Sequence, residues 1–374
     1  MFLPASKKEL RSLGWDRPDI ILVSGDAYID SPFIGIAVIG RVLADAGFRV
    51  GIIAQPDLHG KDICRLGEPG LFWGVSGGSV DSMVANRTAS GKRRKQDDYT
   101  PGGENTRRPD RAVLVYANLI RSHFKKTCPI VLGGIEASLR RIAHYDYWGN
   151  TVRRSVLLDA KADFLLYGMA ERAVLELASC LRNGNDPRRI RGLCYAASEP
   201  PADYQELPAY EEVKGDNRQA KKAFTRMFRL FYENNDPLTA RGLSQLHGSR
   251  YVVQNPPHPH LSTEELDHIH SLDYQLDLHP LHQQQGQVRA LETIRFSLTT
   301  HRGCYGECNF CAIAVHQGRT VLQRSRKSLV AEARRLTAHP AFKGRIHDAG
   351  GPTANMYGIE CRKKLNRGCC PDKR

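Results

Sequence analysis

Short, continuous apolar runs recur in the first half of the chain and predict buried strands. These runs are Ile20–Val23, Val50–Ala54, Phe72–Ser76, Ile130–Leu132 and Phe164–Tyr167. Strands that are apolar on both faces are typical of a parallel sheet that has helices on each side. Helical periodicity separates several of these runs. The pattern therefore predicts β-α-β units and a doubly wound parallel sheet, which is an α/β fold.

The segments around these strands differ in character. Helical periodicity predicts helices over Ile34–Ala46, Arg111–Lys126 and Glu171–Arg182. The segment Ser90–Asp110 is rich in Gly, Pro and charge, which predicts a long surface loop. Asn217–Asn234 is basic with aromatic residues on one side, a pattern more typical of an amphipathic packing helix than of a binding device.

Composition divides the chain into three parts. Residues 1–250 form the predicted N-terminal α/β domain, residues 251–287 a connector rich in Pro, His and Gln, and residues 288–374 a second domain. The connector region holds six histidines that invite a metal interpretation: His258, His260, His268, His270, His279 and His282. Their spacings match no regular ligand pattern and prolines interrupt them, so we expect no metal site there.

The second domain begins with a strand and continues as another β/α unit. Alternation of Ile294, Phe296 and Leu298 predicts a strand within Thr293–Thr300, followed by His301-Arg302-Gly303 as a loop. Further elements are predicted as a helix over Ser328–Thr337, capped by Ser325 or Ser328, and a strand over Gly344–Asp348 that is closed by Gly350, Gly351 and Pro352.

Three cysteines follow that first strand in the spacing Cys304-x-x-x-Cys308-x-x-Cys311. Loops at the carboxyl ends of parallel strands are where α/β folds place their chemistry. A short loop with three thiolates fits a four-iron cubane better than a lone zinc ion, which normally takes four ligands. Three protein ligands leave one iron open to a small molecule. A zinc site or a buried trio of thiols is the alternative interpretation.

Composition and charge indicate the cellular compartment of the protein and the kind of partner that it could bind. The N-terminus lacks an apolar signal segment, and no apolar run is long enough to cross a bilayer, so we expect a cytoplasmic protein whose ten cysteines are thiols or ligands. The net charge of +14 permits a polyanionic partner such as RNA. Basic residues at Lys92–Lys95 and Arg107-Arg108 lack interleaved aromatic residues, which favours a solvated loop over a nucleic-acid-binding face.

The cysteine spacing, with an aromatic residue at Phe310 before the last cysteine, resembles the radical SAM superfamily. The resemblance implies that Cys304, Cys308 and Cys311 hold a 4Fe-4S cluster and that S-adenosylmethionine (SAM) chelates the open iron. An electron from the cluster would then release a 5′-deoxyadenosyl radical. It also implies that Phe310 packs near the adenine of SAM, and that the backbone of the Gly350-Gly351 turn meets its amino group. Pro352 stands where the family often has Glu.

Longer blocks are similar to the YgiQ family of radical SAM proteins over essentially the whole chain. The blocks are Met1–Pro4, Ser24–Asp30, Thr300–Cys304 and Asp348–Tyr357. The family implies a bound cluster and SAM, with an unknown substrate and a reductant such as flavodoxin or ferredoxin. The catalytic residues are not assigned.

The order of elements in the front part resembles a cobalamin-binding-type domain. Gly133–Ser138 and Gly168–Glu171 stand where such domains carry their Gly-Gly and Gly-x-x-Glu turns, although each also suits a plain tight turn. The cobalamin ligand is expected as Asp-x-His-x-x-Gly, and Asp57-Leu58-His59-Gly60 departs from that pattern. The sequence therefore does not favour cobalamin.

The second domain has room for about two of the six or so β/α units of a radical SAM barrel. We therefore expect a C-terminally truncated family member whose barrel is incomplete. Cys361, Cys369 and Cys370 belong either to a second metal site or, slightly favoured, to adventitious thiols. Three hypotheses remain open: a radical SAM enzyme, a catalytically inactive fragment with a ligand-binding α/β domain, and an RNA-modifying radical SAM enzyme.

Overall fold

The computed structural model describes residues 1–352 and 354–370. The strands are β1 (Ile20–Ser24), β2 (Ile29–Asp30), β3 (Val50–Ala54), β4 (Phe72–Ser76), β5 (Ile130–Gly133), β6 (His144–Asp146), β7 (Thr151–Arg153), β8 (Phe164–Leu166), β9 (Leu193–Ala197), β10 (Gln205–Leu207), β11 (Leu243–His247), β12 (Arg250–Gln254), β13 (Asp277–Leu278), β14 (Ser297–Thr299), β15 (His301–Arg302), β16 (Leu322–Gln323) and β17 (Asp348–Gly350).

The helices alternate with these strands. They are α1 (Lys7–Ser12), α2 (Gly35–Asp45), α3 (Ser82–Asn86), α4 (Ala112–His123), α5 (Gly134–Leu139), α6 (Val156–Asp159), α7 (Glu171–Arg182), α8 (Tyr210–Val213), α9 (Arg218–Glu233), α10 (Thr263–Ser271), α11 (Pro280–Gln283), α12 (Arg289–Ile294), α13 (Ile313–His316), α14 (Arg326–Thr337) and α15 (Arg362–Arg367). Across the described ranges, no helix is both long enough and apolar enough to span a bilayer.

The largest sheet has nine strands in the order β10-β11-β12-β9-β8-β5-β4-β1-β3. Strands β3, β1, β4, β5 and β8 are parallel, as the apolar runs predict. The chain leaves β1 to form β3 on one side and then returns to form β4 on the other. The strand order therefore reverses between β1 and β4, and the predicted doubly wound α/β fold is confirmed.

Alternate residues of the central strands face the two sides of this sheet. Leu22 and Phe72 pack with helices α2 and α7 on one face, while Ile21 and Trp73 pack with α4 and α6 on the other. Each such side chain, when fully buried, stabilises the fold by about 1.5–3 kcal/mol. The continuous apolar runs exist because both faces of these strands are covered.

The remaining strands of this sheet, β9 to β12, were not predicted from the sequence. Strand β9 runs antiparallel to β8, and β12 extends the sheet to Gln254, past the predicted domain boundary at residue 250. In β11, Ser244 and Gln245 are buried although they are polar. Gln245 Oε1 accepts a hydrogen bond of 2.8 Å from the Ala143 N–H, which offsets the cost of burying the amide.

The second unit contains a pair of parallel strands. Strand β14 pairs with β17, so that Thr299 lies opposite Gly350. The predicted strand over Thr293–Thr300 is wrong at its start, because α12 continues to Ile294 and the strand covers three residues from Ser297. His301-Arg302 is not a loop but pairs with β16. The predicted strand over Gly344–Asp348 is also wrong, because β17 begins at Asp348.

The predicted helix boundaries in this unit are closer to the structure. Helix α14 begins at Arg326 and ends at Thr337. The Ser325 side chain caps it by accepting a hydrogen bond from the Ser328 N–H, which selects one of the two predicted caps.

The segment Ser90–Asp110 is not a freely solvated loop. Lys92–Lys95 are exposed as expected, but Arg108 is fully buried. The Arg108 guanidinium pairs with Asp26 at 2.7 Å and with Asp97 at 3.2 Å, and its Nε donates to the Gly25 carbonyl. The charged composition of this segment predicts that Arg108 is exposed. It is buried because it pairs with the buried carboxylate of Asp26, which lies 82 residues away in sequence. This network fixes the segment against the loop after β1.

Replacing Arg108 by Met should lower the free energy of unfolding by about 3–5 kcal/mol, because it leaves the buried Asp26 and Asp97 carboxylates without their cation. Urea unfolding at neutral pH, followed by circular dichroism, measures the change. Lys95→Met, an exposed change in the same segment, is the matched control and should change stability by less than about 0.5 kcal/mol. Equal stability of the two variants would contradict the structural role assigned to Arg108.

Candidate functional site

The cysteine loop begins at Gly303, immediately after β15. Gly303 has a φ of 81°, and a Cβ at this position would overlap the Thr320 carbonyl oxygen. Both facts require glycine, because an L side chain is strained at positive φ and has no room here. The Gly303 N–H donates to Gln317 Oε1 at 3.2 Å, and the Cys304 N–H donates to the Gly318 carbonyl at 3.2 Å. The start of the loop is thus fixed on the segment that follows α13.

The sulfurs of Cys304 and Cys308 lie on either side of Gly306. A Cβ at Gly306 would be 3.4 Å from Cys304 Sγ and 3.6 Å from Cys308 Sγ. The Gly306 N–H donates to Cys304 Sγ at 3.3 Å. Cys304 is buried, Cys308 is exposed and Cys311 is intermediate. Two of the three predicted ligands therefore share one turn of backbone, with an N–H group directed at a sulfur.

The three thiols can be compared with the ligand sets of a zinc ion and of an iron–sulfur cluster. Among the residues that the structure describes, no three His, Cys, Asp or Glu side chains surround a point where one metal ion would sit. A single zinc ion needs all its sulfur ligands at about 2.3 Å, whereas a cubane takes each cysteine on a different iron. The donor set and its N–H···S bond suit thiolate ligation of a cluster.

Glu307, between the first two cysteines, ties the loop to the rest of the molecule. Its Oε2 accepts a 2.7 Å hydrogen bond from the Tyr232 hydroxyl at the end of α9. Arg319 and Lys364 lie 3.6 Å and 3.5 Å from its carboxylate. Burial and the bond to Glu307 raise the pKa of Tyr232 to about 12, so the phenol stays protonated and remains the donor. This role could not be predicted from the sequence, because a glutamate at position 307 looks like an ordinary surface charge.

The Gly350-Gly351 turn lies at the same sheet edge as the start of the cysteine loop. The Thr300 N–H donates to the Gly350 carbonyl at 2.7 Å. A Cβ at Gly351 would overlap the imidazole of His301, whereas a Cβ at Gly350 would find only Asp348 Oδ1 at 3.7 Å. The ring of His301 therefore requires glycine at position 351, whereas a Cβ at Gly350 would point into open space.

A cavity of about 440 Å³ lies between this turn and the edge of the large sheet. Gly350 and Gly351 line it, but the three cysteines and Phe310 do not. Phe310 is 92% exposed, on the outer side of the loop. The structure thus joins the predicted glycine turn to a cavity and leaves the predicted adenine-packing ring at the surface.

The opposite wall of the cavity comes from the turns after β5 and β8. Glu171, in the predicted Gly-x-x-Glu turn, forms a buried ion pair with Arg302 of β15. His316 Nδ1 lies 3.1 Å from Ser138 Oγ, in the predicted Gly-Gly turn. Burial lowers the pKa of His316 to about 4, so its ring is neutral. Both turns therefore contact the second unit, a role that their sequences alone did not distinguish from plain tight turns.

The segment considered for cobalamin lies away from this cavity. Asp57 and His59 are exposed on the loop after β3, where Asp57 Oδ1 accepts a 3.0 Å bond from the His59 N–H. The residues at the point where the strand order reverses are instead Asp26 and Ser79, whose N–H donates to Asp26 Oδ2 at 2.6 Å. Asp57 and His59 are therefore not among the residues that line the cavity, and the interpretation of this segment stays a prediction.

The late cysteines occupy separate places. The Cys361 N–H donates to the Tyr305 hydroxyl at 3.0 Å, next to the cysteine loop. The Cys369 N–H donates to Asp236 at 3.0 Å. Burial and the adjacent Asp236 raise the pKa of the Cys369 thiol to about 12, which disfavours the thiolate that a metal needs. Both interpretations of the late cysteines, as a second metal site or as adventitious thiols, stay predictions.

Gly351→Ala should lower the free energy of unfolding by about 1–3 kcal/mol, the usual cost of forcing a methyl into filled space. Gly350→Ala should change it by less than about 0.5 kcal/mol, since open space surrounds its Cβ position. Chemical denaturation of both proteins measures the difference. The double variant His301→Ala/Gly351→Ala should recover part of the loss. Failure of the double variant to recover any stability would show that His301 is not the obstacle.

The chain matches a family model described as radical SAM N-terminal over residues 2–297. It is 56% identical over 375 residues to a UPF0313 protein, FN0734, of Fusobacterium nucleatum, covering 100% of this chain and 65% of that protein. It is 50% identical over 374 residues to a UPF0313 protein of Thermotoga maritima, covering 99% of this chain and 65% of that protein. This chain thus spans less than two thirds of the length of these relatives.

Two solved structures of TsrM from Kitasatospora setae, a radical S-adenosylmethionine methyltransferase, are similar at a lower level. One, with cobalamin and a [4Fe-4S] cluster bound, has a TM-score of 0.46 and 18% identity over 90% of this chain and 47% of that chain. The other, with tryptophan substrate and the SAM analogue aza-SAM, has a TM-score of 0.45 and 18% identity, over 85% of this chain and 45% of that chain.

The family model covers well over half of the chain and includes the whole of the large sheet; it ends at Ser297, the first residue of β14. The chain therefore belongs to the radical SAM proteins that carry the radical SAM N-terminal domain.

Proposed function

We propose that the chain is a YgiQ-type radical SAM protein that binds a 4Fe-4S cluster through Cys304, Cys308 and Cys311 and binds SAM beside it. When bound, the reduced cluster supplies the electron that cleaves SAM into methionine and a 5′-deoxyadenosyl radical. A one-electron donor such as flavodoxin or ferredoxin provides that electron. We place the protein in the reducing cytoplasm, in keeping with its ten free cysteines.

One observation carries this proposal. Strands β14 and β17 are parallel and paired; the carboxyl end of β14 leads through the short strand β15 to the cysteine loop, and β17 ends in the Gly350-Gly351 turn at the same edge. They are separated by about 40 residues in sequence, and the pairing of Thr299 with Gly350 brings them together. Chemistry in parallel α/β folds is placed at this edge.

The residues around the loop have distinct roles in this proposal. The Gly306 N–H stabilises the charge on Cys304 Sγ, as donors to ligating sulfurs do. Glu307, held by Tyr232, fixes the loop between the first two ligands. The open backbone at Gly350 is available to the methionyl end of SAM. Phe310, exposed at the loop surface, is free to cover the adenine.

Anaerobic reconstitution with iron and sulfide should load about four irons per chain, the content of one cubane cluster. Cys308→Ser should lose most of this iron, because Cys308 is one of the three ligands. Cys361→Ser, next to the loop but outside the ligand set, should keep it. Iron and sulfide analysis with electron paramagnetic resonance measures the result. Zinc in place of iron after anaerobic handling would overturn the proposal.

Cleavage of SAM is a separate test from cluster loading. With dithionite and SAM, the loaded protein should form 5′-deoxyadenosine, measured by liquid chromatography. A chain that loads iron but forms no 5′-deoxyadenosine would support the alternative of a catalytically inactive fragment with a ligand-binding α/β domain.

An RNA-modifying role is a second candidate, favoured by one feature of α9. Lys222 and Arg226 are exposed on one side of α9 and form no ion pair among the described residues, and Phe228, which is 51% exposed, lies farther round the helix, beside Tyr232. The Phe228 ring stacks on Tyr232, the residue that holds Glu307 in the cysteine loop. A basic helix with an exposed aromatic residue suits single-stranded nucleic acid, and this one ends beside the loop.

The double variant Lys222→Gln/Arg226→Gln should weaken binding of single-stranded RNA. It should also reduce the slope of log affinity against log salt by about 1.4, or about 0.7 for each lost phosphate contact. Fluorescence anisotropy at several salt concentrations measures both. Lys125→Gln/Lys126→Gln, an exposed pair at the end of α4, is the control of equal charge and should have the smaller effect. If the two double variants weakened binding equally, net charge alone would explain the binding, and a specific role of α9 would be contradicted.

A further inference from the structure

The cavity beside Gly350 extends to the point where the strand order of the large sheet reverses. Its lining includes Ser24 and Asp26 after β1, and Ser76 and Ser79 at the end of β4. In open α/β sheets, the crevice at this point, outside the carboxyl ends of the strands, is where ligands bind. Its volume of about 440 Å³ is in the range of clefts that hold small organic molecules.

The body of the cavity is apolar. Leu22, Phe72, Val131 and Leu166 come from one face of the parallel strands, and Ile39 and Val174 come from the helices that cover this face. Two glycines leave room at its margin. A Cβ at Gly35 would have no atom within 4 Å, and one at Gly133 would meet only the Leu166 carbonyl at 3.9 Å. The walls therefore suit a hydrocarbon or aromatic body.

The N-terminus of α2 opens into this apolar cavity. The residue that precedes the helix is Ile34, whose side chain cannot cap it, and the first turn contains no acidic residue. Helix α2 is 11 residues long, so its first N–H groups carry the positive end of a substantial dipole. Ile34, Gly35 and Ile36 all line the cavity. The N–H groups of Gly35 and Ile36 thus lie beside apolar walls and have no acceptor among the residues that the structure describes.

His270 supplies a second, independent indication of a ligand. Its side chain lines the cavity, the residue is 2% exposed, and neither ring nitrogen has a hydrogen-bond partner in the described structure. Burial, with the charges of Arg324, Arg302 and Arg335, holds its pKa well below the ordinary value. Its neutral ring therefore has an unused donor and an unused acceptor. Buried polar groups normally have partners, so this one points to a bound molecule.

The carboxylates near the cavity do not repel an anion at α2. Asp26 is paired with Arg108, and Glu171 is paired with Arg302. Asp348 lies at the far end, beside Gly350. No cationic side chain in the described lining is without a carboxylate partner, which favours a singly charged group over a phosphate.

We propose that this cavity binds a small carboxylic acid with an apolar body, whose carboxylate lies at the N-terminus of α2 and whose body contacts Leu22, Phe72 and Val131. His270 hydrogen-bonds to a polar group of the same molecule. As a binding site it is independent of the cluster and SAM. As the substrate pocket it rests on the proposed function, because Gly350 and Gly351 line the other end of the cavity.

The chain of 374 residues, without added iron or SAM, can be tested with 8-anilinonaphthalene-1-sulfonate, an apolar anion that fluoresces in apolar sites. One molecule should bind per chain, at least tenfold more tightly than N-phenyl-1-naphthylamine, which has the same rings and no charge. Octanoate should displace the probe, whereas octanol and octyl phosphate should displace it at least tenfold less well. Equal binding of the charged and uncharged probes would overturn the proposal, as would equal displacement by octanol or octyl phosphate.

Two variants fill the cavity from opposite walls. Gly35→Leu and Gly133→Leu should each raise the Kd of the probe at least tenfold while the melting temperature stays within a few degrees of the wild type. Gly70→Leu, at an exposed glycine whose Cβ would lie 3.7 Å from the Arg17 side chain, is the control and should leave the Kd unchanged. If one cavity variant does not fold, the other decides. Unchanged affinity in a folded cavity variant would place the probe elsewhere and would overturn the proposal.

These experiments separate the two proposals. Probe binding requires neither iron nor SAM, so a chain that binds the probe but takes up no iron would retain this site and lose the proposed radical chemistry. A chain that forms 5′-deoxyadenosine but fails the probe experiments would retain the proposed radical chemistry and lose this site.

Discussion

The buried ion pair between Arg302 and Glu171 is the interaction on which the geometry of the site depends. Arg302 belongs to the short strand that leads into the cysteine loop, and Glu171 begins the helix after the fifth parallel strand of the large sheet. Their side chains are 8% and 4% exposed. Two charges withdrawn from water are tolerable only together, since removing either leaves the other uncompensated at a cost of about 3–5 kcal/mol. The pair therefore fixes the cysteine loop relative to the large sheet.

Two further contacts also hold the cysteine loop and the helix after it against the N-terminal domain. The Tyr232 hydroxyl holds Glu307 inside the cysteine loop, and His316 contacts Ser138 in the turn after β5. The N-terminal domain thus positions the loop from several sides. It also supplies most of the cavity that reaches the glycine turn. Binding at the large sheet and chemistry at the cysteines are therefore parts of one arrangement.

The sequence predicted the elements whose local pattern and tertiary surroundings agree. Val50–Ala54 and Phe72–Ser76 were predicted to the residue, because strands buried on both faces leave an unbroken apolar run. The strand β11 was missed because its buried Ser244 and Gln245 look like surface residues, and Gln245 finds its partner about 100 residues away. Arg108 misled in the same manner. Both of these errors came from a polar group whose hydrogen-bond or ion-pair partner lies in a distant part of the chain.

In the candidate site, too, local motifs could be predicted from the sequence, whereas contacts between distant residues could not. The cysteine spacing and the glycine turn were visible as motifs, and the structure brings the strands before them side by side. Ligation by Cys304, Cys308 and Cys311 stays a prediction, as does the packing of Phe310. The alternation in Thr293–Phe296 also satisfies helical spacing, with Ala290 and Ile294 four residues apart, and the helix formed there. Glu307 and His270 could not be found from sequence, because their importance lies in what surrounds them.

The contact between His301 and Gly351 limits how this protein can diversify. The imidazole occupies the volume that any side chain at position 351 would need, so an incoming molecule meets peptide groups there. Peptide groups are the same whatever the sequence, so a change of side chain at position 351 cannot alter which molecules the protein selects. New selectivity must arise instead along the hydrocarbon walls, where residues such as Ile39 and Val174 can change size without moving the backbone.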